Sequence, residues 1–125
     1  MGRFLKPLLA ILAAAGLASP ALAADPASGA KVFGAQCSVC HSSTRNAPVG
    51  IGPRQFGVVG RRAGAQAGFN YSQAMRNSGI TWTVADLKRY IANPSGTVHG
   101  NKMPYGGLHN AKQLDDLVAF LATLH

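Results

Sequence analysis

Two cysteines stand three apart, and a histidine follows the second at once: Cys37-Ser38-Val39-Cys40-His41. These are the only cysteines in the 125 residues. No other short segment restricts the chain as strongly. Two thiols at this spacing on one helical turn match the separation of the two vinyl groups of a porphyrin. Adding across those vinyls, they form two thioethers. The next residue then sets an imidazole under the iron as proximal ligand. This is the haem c attachment pattern, and it names Cys37, Cys40 and His41 as a covalent cofactor site.

Other uses of a cysteine pair fit less well. A thioredoxin-like site needs a preceding strand and a βαβ surrounding, and neither is visible. A zinc site needs about four ligands, commonly with a second close pair. His99 and His109 are ten apart and no second cysteine pair exists. A disulfide is the default for two cysteines in an exported chain, but the adjacent histidine argues for haem.

Export itself is read from the first residues. Arg3 and Lys6 give a basic start, an apolar run spans Leu8 to Ala18, and Ser19-Pro20-Ala21-Leu22-Ala23 carries small residues at 21 and 23. That order is a secretory signal with its cleavage site. The run is shorter than the roughly 20 apolar residues of a spanning helix and meets Pro20. The expected organisation is a signal peptide over 1–23, one domain over 24–125, a periplasmic location and no stable membrane insertion. Losing Arg3 and Lys6 takes the formal charge from +8 to +6. The basic residues are spread out, with no aromatic–basic stripe and no helix-turn-helix pattern, so nucleic acid is not an expected partner. The charge suits steering toward acidic proteins.

The periodicity predicts an all-α domain short of core. A first helix is expected over Ala27 to Val39, with Gly29 and Gly34 permitting close approach of another helix. Ser42 to Phe69 is Gly- and Pro-rich with no period, a length reasonable if it wraps a flat ligand. A short helix is expected over Tyr71 to Ser78 with Gly79 as its stop. Another runs from about Val84 to Ala92, capped by Thr83 and ended by Pro94. Ser95 to Gly107 reads as irregular. In the last helix Leu114, Leu117, Val118, Leu121 and Leu124 form one stripe. A buried macrocycle would supply the missing centre.

The sixth iron position decides what the haem does. A filled site carries electrons; an open one binds gases or peroxide, and catalysis there needs an acid–base group above the iron. The candidates are Met75, Met103, His99, His109 and His125. Met75 falls within a short helix, where core packing accounts for it. Met103 lies in a loop flanked by Gly100, Pro104, Gly106 and Gly107 and leads the candidates. A thioether there stabilises ferrous iron. The expected activity is therefore one-electron transfer rather than catalysis, with a haem enzyme or gas sensor as the alternative.

From Gly29 onward the chain resembles class I cytochrome c, the mitochondrial type and its bacterial relatives. Gly29, Phe33 and the haem motif match the family's first helix. Gly52-Pro53, Gly60-Arg61, Gly68-Phe69-Asn70-Tyr71-Ser72, Gly79-Ile80-Thr81-Trp82-Thr83, Tyr90, Pro94, Gly100-Asn101-Lys102-Met103, Leu117 and Phe120 match further along. The resemblance implies one haem c held by Cys37 and Cys40, with His41 and Met103 as axial ligands. It implies that the Pro53 carbonyl accepts from His41, that Arg61, Tyr71 and Trp82 lie by the propionates, and that Tyr90 lies near the methionine. It implies a monomer moving electrons from a dehydrogenase or reductase complex to an oxidase, reductase or reaction centre. A dedicated partner of one dehydrogenase would use the same chemistry. Three departures stand out. Asn101 replaces a hydroxyl residue, His99 a proline, and Met75 a polar amide. Lys31 and Lys102 keep part of the family's lysine docking face, but Gln36, Ser95 and Gly96 stand where lysines are frequent.

Overall fold

Helix α1 spans Pro26–Gln36 because its start is strongly specified. Asp25 accepts from the backbone N–H of Ala27 and Ser28 at 3.1 and 3.2 Å, and Pro26 occupies the first turn, where its missing N–H costs nothing. The computed structural model describes residues 1–2, 15–17 and 22–125. The basic start, most of the apolar run and part of the cleavage segment thus lie outside the described residues. Short α2 (Gln73–Arg76) follows a long irregular stretch, then come α3 (Val84–Ala92), α4 (Pro94–Thr97) and α5 (Ala111–Ala122). Among the described residues there is no strand, only one isolated antiparallel bridge between Arg62 and Thr81. The architecture is all-α.

Three boundaries differ from expectation, each for a local reason. α1 ends at Gln36 rather than Val39, because Ser38 N–H bonds back to Phe33 O and converts residues 37–40 into a separate turn. α2 is half the expected length: Ser72 caps it, and Ser78 Oγ turns back on Met75 O at 2.9 Å. Pro94 does end α3, but it also begins α4, with Asn93 Oδ1 capping at Gly96 N–H. Residues 94–97 are therefore helical rather than irregular.

α1 crosses α5, and α3 packs on α5 as well. The core gathers Phe33, Trp82, Leu87, Tyr90, Leu117, Val118 and Leu121. Phe33 and Phe120 meet with ring centroids 5.5 Å apart across the α1–α5 crossing. Asp116 is the one buried charged residue among those described, at 4% exposed. Its carboxylate accepts Asp25 N–H at 2.7 Å and the Lys112 ammonium, and these two contacts, in that order, hold its pKa below the usual carboxylate range. It ties the start of α1 to α5.

The two glycines of α1 behave differently. A Cβ on Gly29 would lie 1.8 Å from Asp116 O, so only glycine permits the crossing. A Cβ on Gly34 would meet nothing within 4 Å, and no helix approaches there. Gly29→Ala should therefore lower unfolding stability by at least about 1–3 kcal/mol through overpacking. Gly34→Ala should raise it by about 0.5–1 kcal/mol. Paired denaturant titrations of the two variants check this; equal effects would refute the close-approach argument.

Candidate functional site

The turn after α1 is built by its own hydrogen bonds. Cys40 N–H and His41 N–H both donate to Cys37 O, at 3.1 and 2.9 Å. The thiols of Cys37 and Cys40 are free. Burial, then the neighbouring Cys40, pushes the Cys37 thiol up to about 11. Residues 52–55 run beside this turn, with Gly52 N–H on Cys40 O at 2.8 Å and Gln55 N–H on Ser42 O at 2.8 Å. Gly52 is required there, because a Cβ would come 2.5 Å from the His41 ring.

That placement sets the imidazole. His41 Nδ1 lies 2.7 Å from Pro53 O. A carbonyl only accepts, so Nδ1 carries the proton and Nε2 keeps its lone pair for a metal. Burial is the largest cause lowering the His41 pKa; the Arg61 charge acts the same way, against the Pro53 bond. The ring is held neutral, its ligating form.

His41 and Met103 line one cavity of about 830 Å³, together with Cys37, Cys40, Pro53, Arg61, Tyr71, Trp82 and Tyr90. Every expected site residue is thus brought to a single chamber. Its inner wall is apolar: Phe33, Val58, Leu87, Leu117 and Leu121. His99, His109 and His125 are exposed and do not line it.

Arg61 and Trp82 are pinned together by the backbone. Trp82 N–H donates to Arg61 O at 2.9 Å, and Gly60 N–H to Trp82 O at 2.8 Å. The Arg61 guanidinium is half-buried and bonds the Arg54 and Phe56 carbonyls at 2.8 and 3.2 Å. Burial raises the Tyr71 pKa against the pull of the Arg61 charge. Burial also pushes the Tyr90 phenol up to about 12. Trp82 and Tyr90 stack at 5.0 Å, tilted by 45°.

Met103 is positioned by Asn101, whose role the sequence left open. Asn101 Oδ1 accepts Met103 N–H at 2.8 Å, and Tyr90 OH lies 3.4 Å from the same oxygen. Asn101 Nδ2 donates to Val98 O at 3.0 Å. An Asx turn two residues before the methionine is the signal that could have identified it. Lys102 Nζ ties the loop to Asn70 O at 2.7 Å, and Tyr105 OH reaches Gln36 Oε1 at 3.0 Å. Met75 also lines the cavity, from α2, and is buried at 7% exposure. Gln55 went unnoticed in the sequence: its Nε2 lies 3.1 Å from His41 Nδ1 and 3.2 Å from Pro53 O. An amide in a Gly- and Pro-rich loop carries no pattern that would reveal this.

These residues fit a haem. Two free thiols, a tautomer-fixed imidazole and a thioether surround an apolar-walled space within the usual range of cofactor pockets, about 300–1,000 Å³. A helix long and apolar enough to cross a membrane is absent among the described residues.

Comparison with known proteins agrees. A family model described as cytochrome C oxidase, cbb3-type, subunit III matches residues 24–121. A cytochrome c2 of Rhodomicrobium vannielii is 49% identical over 108 residues, 86% of each chain. A cytochrome c2 of Blastochloris viridis is 40% identical over 116 residues, 93% of this chain and 91% of the relative. The solved structure of cytochrome cH from Methylobacterium extorquens superposes with a TM-score of 0.74 at 41% identity, covering 79% of this chain and 98% of that one. The chain belongs to the class I cytochrome c family and carries single electrons on one covalently bound haem c.

Proposed function

We propose that the protein is a periplasmic monomer that shuttles electrons between redox proteins and has no substrate of its own. A donor dehydrogenase or reductase complex and an acceptor oxidase, reductase or reaction centre are the partner classes. In this reading residues 1–23 are removed on export and residues 24–125 form the working domain. Cys37 and Cys40 would form the thioethers, and His41 Nε2 and Met103 Sδ would hold the iron. The observation that carries this reading is the one chamber lined by both cysteines, His41 and Met103.

When bound, the haem would supply a one-electron couple. The protein's residues hold that couple in place and limit what else reaches it. Asn101 and Lys102 restrain the loop bearing Met103, which keeps exogenous ligands out. Phe33, Leu117 and Leu121 exclude water from the inner wall. Arg61 brings a half-buried positive charge to the chamber, and that charge would offset the burial of a haem propionate beside it.

Partner choice follows charge. No acidic residue occurs from Pro26 to Ala85, whereas Lys31, Arg45, Arg54, Arg61, Arg62 and Arg76 do. Three of the four acids are matched in ion pairs, Asp86 with Arg89, Asp115 with Lys88 and Asp116 with Lys112. At the cavity mouth stand Lys102 and the exposed apolar side chains of Val39 and Ile51. A net positive charge with a lysine and exposed apolar side chains at the cavity mouth suits brief docking on an acidic protein, with less than about 1,200 Å² buried in total.

Lys31→Glu and Lys102→Glu should each slow electron transfer to the natural partner at low salt, with the difference closing as ionic strength rises. Stopped-flow rates across a salt series test this. Rates indifferent to both substitutions would move the docking face elsewhere.

A further inference from the structure

We propose that Gln55 is a positioning residue for the iron's proximal ligand, and that it raises the reduction potential by sharing the carbonyl to which His41 is anchored. The inference rests on His41 as axial ligand.

The geometry is a three-atom cluster. His41 Nδ1 and Pro53 O are 2.7 Å apart, Gln55 Nε2 and Pro53 O 3.2 Å, and Gln55 Nε2 and His41 Nδ1 3.1 Å. The Gln55 backbone is clamped on both sides, by its N–H on Ser42 O at 2.8 Å and by Val58 N–H on its own carbonyl at 3.0 Å. Its side chain is half-buried and lines the cavity. The N–H₂ end donates to the Pro53 carbonyl alongside the His41 N–H, whereas turning the amide over would press Oε1 against that carbonyl, two acceptors in contact.

Two effects then act in one direction. A carbonyl oxygen that already accepts an amide N–H attracts the His41 proton less. The ring gains less imidazolate character, and Nε2 becomes a weaker donor to iron. The positive end of the amide dipole, beside the ring in a poorly hydrated site, also opposes the extra positive charge of the oxidised state. Both disfavour ferric iron. Hydrogen bonding to the proximal ligand is a recognised lever on haem potential, and here the residue working it is the second donor rather than the acceptor.

The test is redox titration of the holoprotein with Gln55→Leu and Gln55→Glu. Gln55→Leu removes the competing donor and should shift the midpoint potential downward. Gln55→Glu places an acceptor next to the His41 proton and should shift it further down. Both variants should keep the methionine-to-iron charge-transfer band at neutral pH. The His41 ring N–H resonance should move downfield in each, as its hydrogen bond strengthens. A residue that merely fills space would leave potential and resonance unchanged in Gln55→Leu, and that result overturns the inference. An upward shift overturns it too, because it would put the amide oxygen toward His41. If wild-type protein lacks the low-spin spectrum of His/Met ligation, the ligand assignment falls and this inference with it. If wild type shows that spectrum and Gln55→Leu changes nothing, only this inference falls.

Discussion

Met103→Ala is expected to convert the carrier into a ligand-binding haem protein. The methionine-to-iron charge-transfer band should vanish from the ferric spectrum. Carbon monoxide should bind the ferrous form readily, the potential should drop, and peroxidase activity should emerge. A thioether stabilises ferrous iron, so its loss lowers the potential, and the vacated position admits small molecules. Met75→Leu is the control. Both methionines line the cavity, but they are held differently. Met75 sits in α2 with its N–H on Ser72 Oγ at 3.1 Å, and its side chain belongs to the buried core. Met103 sits on a loop that Asn101 and Lys102 fasten to Val98 and Asn70. Met75→Leu should keep the band and the closed site. Avid carbon monoxide binding by wild-type protein would remove the carrier reading and favour a sensor or enzyme. Loss of the band in Met75→Leu alone would exchange the roles of the two methionines.

The site was more legible than the fold that holds it, for a physical reason. Covalent attachment demands fixed residue types at fixed spacing, so Cys37, Cys40 and His41 announce themselves. α5 was equally plain, since Leu117, Val118 and Leu121 recur at helical period and are all buried. The ends of α1 and α2 were not, because side-chain oxygens and reversed backbone bonds at Ser38 and Ser78 stop them, and neither leaves a periodic trace. Gly34 looked like Gly29 in sequence, yet only Gly29 faces α5. The polar contacts that tune the site were hidden for another reason. Asn101 accepts from Met103 N–H and Gln55 donates to Pro53 O, each across two residues, and hydropathy cannot register a single bond. Resemblance to the family supplied Pro53, Arg61, Tyr71, Trp82 and Tyr90, all now found around one chamber. It could not supply Gln55, because no motif contained it.

The Cys37→Ala, Cys40→Ala double variant is expected to lose the fold as well as the haem. α1, α3 and α5 have 11, 9 and 12 residues, at or below the about 12–15 at which isolated helices become even marginal. They must therefore be stabilised by packing, yet Phe33, Trp82, Leu87, Leu117 and Leu121 all face a shared cavity of about 830 Å³. An open chamber of that size leaves those apolar faces against water instead of against protein, and a small domain has only about 5–15 kcal/mol of stability to lose. Without the macrocycle the chain should collapse only partly, with weak helical circular dichroism, broad amide resonances and rapid proteolysis between Ser42 and Phe69. Losing one cysteine is a milder change. Cys37→Ala should keep a single thioether, the His41 and Met103 ligands and most of the helicity, with lowered thermal stability. The contrast separates attachment from folding, because the single variant weakens the link while the double variant empties the core. A compact, fully helical haem-free double variant would show that the helices hold one another without the cofactor.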